Sequence, residues 1–175
     1  MKKFFRFLIV SIVLLTAIGV VVYIKYSINQ GDVGGSDAVQ SDSLPQSYDA
    51  QVVGLTDGDT IKVLHQGNKV TIKLFGIDAP EIWQFYGLES TIYLQRILCN
   101  PVTVETRTTD RYGRTVAVLW CDGVDINKQM VEAGYAWAYR RYSEDYVRSE
   151  NQARSIGIGL WQEENPMPPW IYRRK

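Results

Sequence analysis

Residues 51–75 read QVVGLTDGDTIKVLHQGNKVTIKLF, three short runs rich in β-branched residues with turn-forming residues between them. The runs Gln51 to Leu55, Thr60 to His65 and Lys69 to Phe75 alternate apolar with polar side chains, the period-2 pattern of half-buried strands. Asp57-Gly58-Asp59 and Gln66-Gly67-Asn68 interrupt them, and both carry turn chemistry. The expectation is an antiparallel meander. With the second turn centred on Gly67-Asn68, paired residue numbers sum to about 135 or 136, which sets Asp59 opposite Gly76 or Ile77.

Downstream, Tyr86 to Leu98 places Leu88, Ile92, Leu94 and Leu98 at helical spacing. Val102 to Thr106 and Thr115 to Cys121 read as a second hairpin around Asp110-Arg111-Tyr112-Gly113. Asp125 begins a short helix ending near Gly134, and Ser143, Glu144 and Asp145 cap a last helix that stops at Gly157. Five strands interleaved with about three helices predict an α+β chain built on a five-stranded OB-fold β-barrel. A pairing sum of about 222 in the second hairpin sets Cys121 opposite Pro101, next but one to Cys99. A Cys99 to Cys121 disulfide is expected, the alternative being two buried free thiols.

Upstream, Phe7 to Ile24 is broken only by Ser11, Thr16 and Gly19. At ~1.5 Å rise per residue this run spans about 27 Å, close to the hydrocarbon thickness of a bilayer. Lys2, Lys3 and Arg6 precede it and Lys25 follows, so the positive-inside rule leaves the amino terminus in the cytoplasm and the remainder outside. A transmembrane anchor over 1–26 is preferred to a cleaved signal, because the run exceeds a usual signal core and no A-x-A site follows. Cleavage would leave a secreted or periplasmic protein. Residues 27–47, rich in Gly, Ser, Asp and Gln, read as a flexible linker, and 48–175 as the folded domain. An oxidising exterior favours the disulfide.

Nineteen Lys and Arg balance nineteen Asp and Glu, so no global polycation is available and any polyanion site is local. His65, the only histidine, excludes His-cluster metal sites and two-histidine acid/base pairs. Attention therefore falls on Asp57-Gly58-Asp59-Thr60 and Asp78-Ala79-Pro80-Glu81. In the expected register Asp59 and Asp78 lie close enough to share one ion, and oxygen donors select Ca²⁺ or Mg²⁺ over zinc. The bland alternative is that these residues merely end strands. Lys73, Glu81 and Arg114 add two cations and a further carboxylate, the equipment of phosphodiester hydrolysis: a base for water and donors for charge developing on phosphorus.

From Val52 to the C-terminus the chain resembles the thermonuclease family, the staphylococcal-nuclease-like domains. The likeness runs through VVGLTDGDTIKV (52–63), IKLFGIDAPE (72–81), Gln84 to Gly87, DRYGRTVAVLWCDG (110–123), VDIN (124–127), VEAGYAWAYRRY (131–142), the Glu150 to Trp161 segment ending in GLW, and PPWIYRRK (168–175). The resemblance implies a monomeric Ca²⁺-dependent endonuclease acting on DNA or RNA and leaving 3′-phosphates. By position, Asp59 and Asp78 would bind Ca²⁺ through carboxylates and Ala79 through its backbone carbonyl. Glu81 would be the general base, Arg114 would bind phosphate, and Tyr112 and Tyr142 would line the nucleotide pocket. Lys73 stands where the family usually has arginine; charge is kept and the planar fork is lost, which implies a slowed enzyme. Phe85 and Ile171 also depart from the usual residues, away from the chemistry.

Two rival expectations are an OB module that grips single strands without turnover and a purely structural envelope barrel. Trp120, Trp137, Trp161 and Trp170 are read as packing, and Arg140-Arg141 and Arg173-Arg174-Lys175 as solvated charge.

Overall fold

The computed structural model describes residues 47–175. The expected anchor over 1–26, and all of the linker except Ser47, lie outside the described residues. Among the described residues no helix is long and apolar enough to cross a membrane.

Five strands build the barrel: β1 (Ser47–Asp57), β2 (Thr60–His65), β3 (Asn68–Leu74), β5 (Val102–Thr109) and β6 (Thr115–Cys121). The sheet runs β3-β2-β1-β5-β6, and parallel pairs Ile72↔Thr115, Lys73↔Val116 and Leu74↔Ala117 close it. β1 serves two neighbours, Ser47 to Ala50 pairing with β5 and Gln51 to Asp57 with β2. Register shifts after Val52 and after Leu55 bend it, as closure of so small a barrel requires. Three two-residue strands, β4 (Ile77–Asp78), β7 (Val124–Asp125) and β8 (Trp137–Ala138), are too short for a periodicity reading.

Four helices pack around the barrel: α1 (Gly87–Ile97), α2 (Ile126–Glu132), α3 (Val147–Ser155) and α4 (Pro169–Tyr172), with a 3₁₀ turn at Gly159–Gln162. Asp125 caps α2 as expected, its side chain accepting from Lys128 N at 2.9 Å. The Ser143 cap expectation for α3 is corrected. Ser143 Oγ accepts from Asp145 N at 3.0 Å within the preceding turn, and Tyr146 occupies the N-cap without a side-chain bond.

The barrel interior holds Ile61, Val63, Ile72, Leu74, Val102, Val104, Ala117 and Leu119, with Leu94 of α1 and Met130 of α2 closing its ends. Each such large aliphatic side chain contributes about 1.5–3 kcal/mol through burial. Asn127, fully buried, stitches the closing strands: it donates to Phe75 O and Ala117 O and accepts from Leu119 N. A second cluster of Trp137, Ala153, Leu160 and Trp161 receives Trp170 of α4, so three of the four tryptophans pack as expected. Trp120 is half-buried, its indole donating to Glu105 at 2.7 Å.

Both hairpin registers differ from expectation by small amounts. β2 and β3 pair Thr60 with Lys73 and His65 with Asn68, and Leu74 N donates to Asp59 O at 2.8 Å. The turn consists of Gln66 and Gly67 alone, both at positive φ (48° and 78°), the conformation that matches strand twist in a two-residue loop. Asp59 therefore faces Leu74, not Gly76 or Ile77. In the second hairpin Thr103 pairs with Trp120, which sets Cys121 opposite Val102 rather than Pro101. The disulfide still joins Cys99 to Cys121, with Cα atoms 5.6 Å apart.

Candidate active site

The carboxylates converge because the chain reverses just after β3. Gly76, at φ 71°, turns it into β4, where Asp78 pairs with Trp137 of β8 and comes back beside the end of β1. Asp59 reaches the same place from the Asp57-Gly58-Asp59 turn, in which Asp57 Oδ1 accepts from Asp59 N at 3.1 Å. Gly58 admits this packing, since a Cβ there would lie 2.0 Å from Ser90 Oγ of α1 and 2.9 Å from Ala79 Cβ. Asp59 Oδ2 then accepts from Ala79 N at 2.6 Å, tying the two acidic segments together. Asp59 and Asp78 are each 2% exposed.

Lys73 is the counter-ion of this pair. Its ammonium lies 2.5 Å from Asp59 Oδ1 and 3.6 Å from Asp78 Oδ1, with the side chain 19% exposed. Burial pushes Lys73 down, but Asp59 and Asp78 outweigh it and hold the ammonium above its ordinary pKa. Burial raises Asp59 too, and there Lys73 and the Ala79 N–H prevail, leaving its carboxyl below the usual range. At Asp78 burial dominates and the carboxyl is raised. Neighbouring Asp57 is pushed up to about 7, first by burial and then by the charge on Asp59.

Glu81 stands on a half-exposed loop beside the pair. Gln84 fixes the loop from below, its Oε1 accepting from Glu81 N at 3.2 Å while its Nε2 donates to Met167 O in the C-terminal segment. Gly87 lets α1 start against this loop, because a Cβ would sit 1.8 Å from Glu81 O. The carboxylates also hold a cation that sequence reading assigned to the solvent. Arg173, directly after α4, donates from Nη1 to Asp78 Oδ1 (3.1 Å) and Glu81 Oε1 (2.7 Å), and from Nη2 to Asp78 Oδ2 (2.7 Å). No local signal could reveal it, since its partners lie more than ninety residues upstream.

Lys73, Asp59, Asp78, Ala79 and Glu81 are thus gathered in one place. Arg114 is held elsewhere, its Nε donating to Asp110 Oδ2 at 2.7 Å and its backbone N to Asp110 Oδ1 at 3.0 Å. It precedes Thr115, which pairs with Ile72, so it occupies the rim next to the strand that carries Lys73. Among the described residues it makes no ion pair with Asp59, Asp78 or Glu81. Tyr112 (69% exposed) leans on Arg111, and Tyr142 (67% exposed) meets Tyr139 edge-on; both are surface rings.

An oxygen-only donor set on two buried carboxylates suits a hard cation. Among the described residues no third Asp, Glu, His or Cys completes a cage, so a cation there would draw on Asp59, Asp78, a backbone carbonyl such as that of Ala79, and water. Such a cluster on the rim of a small barrel can hold a cation, bind phosphate and accept a proton.

Comparison with known proteins agrees. The family model of staphylococcal nuclease homologues matches residues 71–163. An uncharacterized endonuclease of Escherichia coli O157:H7 is 42% identical over 129 residues, covering 71% of this chain and 84% of that protein. Another uncharacterized endonuclease, from Haemophilus influenzae, is 40% identical over 129 residues, covering 71% of this chain and 72% of that protein. A micrococcal nuclease of Shigella flexneri is 35% identical over 141 residues, covering 73% and 81%. The chain belongs to the staphylococcal nuclease homologues and is a nuclease, a phosphodiester hydrolase.

Proposed function

We propose that this nuclease is a monomeric, Ca²⁺-dependent endonuclease of DNA and RNA that leaves 3′-phosphates. The observation that carries the reading is the convergence of Asp59, Asp78, Lys73 and Glu81 on one rim of the barrel. Asp59 and Asp78, with the Ala79 carbonyl, are the groups that would hold Ca²⁺. When bound, the ion would supply Lewis-acid stabilisation of charge on the phosphoryl oxygens.

The chain's own residues do the rest. Glu81 takes a proton from a water that attacks phosphorus in line; the new P–O bond forms as the P–O5′ bond breaks, giving a 3′-phosphate and a 5′-alkoxide that is protonated from solvent. Arg114, freed from Asp110 by a competing phosphate, and Lys73 stabilise the charge gathering on the phosphoryl oxygens. Tyr112 and Tyr142 offer exposed ring faces on which any base can stack, a sequence-tolerant mode of recognition. The apolar run from Phe7 to Ile24 supports a membrane anchor with this domain outside the cytoplasm, or a secreted or periplasmic protein after cleavage.

A binding module without turnover is favoured by one observation: Lys73 and Arg173 already neutralise the carboxylates. The deciding experiment incubates the purified full chain with single-stranded DNA, with Ca²⁺ and with chelator. Internal cleavage confined to the Ca²⁺ arm, with 3′-phosphate ends, supports the endonuclease. Binding without cleavage over a range of Ca²⁺ supports the module.

A further inference from the structure

We infer that Arg173 is a further substrate-binding residue, a guanidinium that gives a phosphate next to the scissile one the planar two-pronged contact Lys73 cannot make. The inference rests on the nuclease reading above and names a residue at the same site.

The hydrogen-bond pattern of Arg173 is the first ground. A guanidinium has five N–H groups in a fixed plane. The end-on edge of Arg173, Nη1 with Nη2, grips Asp78, and Nη1 spends its second N–H on Glu81. The side-on edge, Nε with the remaining N–H of Nη2, makes no hydrogen bond among the described residues, and the side chain is 41% exposed. Two parallel N–H groups on an open edge are the geometry that binds phosphate oxygens bidentately. Arg173 can therefore take phosphate without releasing its carboxylates. Each carboxylate oxygen keeps a second lone pair, so Arg173 and a cation can also share Asp78.

Position is the second ground. A water activated by Glu81 attacks from about 3–3.5 Å. Because Arg173 Nη1 turns its second N–H to Glu81 Oε1 at 2.7 Å, the open edge of Nε and Nη2 faces away from Glu81, and the phosphate it takes is a neighbour of the one that this water attacks. Lys73 is drawn down between Asp59 and Asp78, and Arg114 is engaged by Asp110. Arg173 is the one arginine, among the described residues, paired to the carboxylate cluster.

Anchoring is the third. Trp170 packs on Trp137 and Tyr139, Tyr172 Oη donates to Trp83 O, and Gln84 holds Met167. A guanidinium held this way is delivered rather than adrift. The next residue, Arg174, lines an open cleft of about 250 Å³ with Arg140, Arg141 and Trp170, so adjacent arginines serve the carboxylates and a cationic, aromatic-walled surface that suits a polyanion.

The test uses the full chain with Arg173→Ala and Arg173→Lys. Alanine is expected to lower kcat/KM on single-stranded DNA with Ca²⁺ about 10- to 10²-fold, more through KM than through kcat. Guanidinium ion should restore part of that rate while leaving the wild type unchanged. In chelator, where no turnover intrudes, binding of a fluorescent oligothymidylate should lose ~0.7 from its log Kd against log salt slope, the share of one phosphate contact. Lysine keeps the charge and loses the fork; should the alanine chain fail to fold, this variant decides, and it must be at least about tenfold slower. Wild-type rate in the lysine variant, a faster alanine variant, or an unchanged salt slope would overturn the assignment. If the wild type itself never cleaves, the nuclease reading fails, and the salt slope still reports whether Arg173 holds phosphate.

Discussion

Lys73→Met removes the ammonium between Asp59 and Asp78 and keeps most of the side-chain volume. Breaking a buried pair by deleting one partner costs about 3–5 kcal/mol. The lower end applies here, because Lys73 is 19% exposed, Asp78 retains Arg173, and Asp59 retains the Ala79 N–H. At about 4 °C per kcal/mol for a domain of this size, the melting temperature in chelator should fall by about 10–12 °C. The same substitution makes the site one unit more negative. A unit charge at ~4 Å is worth up to about 4 kcal/mol at an effective dielectric of 20, so Ca²⁺ should bind at least about tenfold more tightly. Differential scanning fluorimetry with and without Ca²⁺, and calorimetric titration of the ion, read both effects. The variant should be less stable than the wild type in chelator and gain more from Ca²⁺. An unchanged melting temperature in chelator, or equal Ca²⁺ protection of both proteins, would refute Lys73 as counter-ion of the pair.

Glu81→Gln keeps the shape of the loop and removes a proton acceptor, so kcat should fall by about 10² or more while oligonucleotide affinity holds; equal losses in both would remove Glu81 as base. Burial raises the Asp125 carboxyl above its ordinary value. A raised carboxyl contributes stability that is complete below the unfolded pKa near 3.8 and lost as pH rises through the folded one. Asp125→Asn, which can still cap α2, should flatten that fall in a series of urea melts from pH 4 upward, and an unaltered slope would count against it. Reduction of Cys99–Cys121, which closes a loop of 22 residues, should cost about 3 kcal/mol in urea midpoint terms. Full thiol titration in the unreduced, unfolded protein would show that no such bond forms.

The barrel was legible because its strands are long enough for alternation to show and are bounded by Gly and Asp turns. The helix over Gly87–Ile97 forms where its spacing set it, but it buries Gly87, Ser90 and Leu94 and leaves Leu88 and Ile92 exposed, while the helix over Ile126–Glu132 follows its Asp125 cap. Two-residue strands and the four-residue α4 fall below any periodicity, since their form comes from what they dock against. The Asp59 register differs because the turn is centred on Gln66 and Gly67, both at positive φ, and not on Gly67-Asn68, yet the two carboxylates still meet. The reversal at Gly76 brings them together, not facing positions in a hairpin. Of the site, the motif carboxylates and Lys73 were visible as local patterns. Arg173 was not, because an ion pair across the whole domain leaves no trace in spacing.

The parallel pairing of Ile72, Lys73 and Leu74 with Thr115, Val116 and Ala117 is a seam three pairs long that joins segments separated by about 40 residues of chain. With three pairs against the four that join β1 to β5, this is the shortest ladder around the barrel and the place where the cylinder parts most readily. Lys73 is its middle stitch. When the seam parts, the buried charges lose one side of their housing, and an ion that grips both carboxylates works as a clasp on the whole cylinder. Amide exchange at residues 72–74 and 115–117 should accordingly slow together when Ca²⁺ binds, and quicken together when Lys73 is replaced.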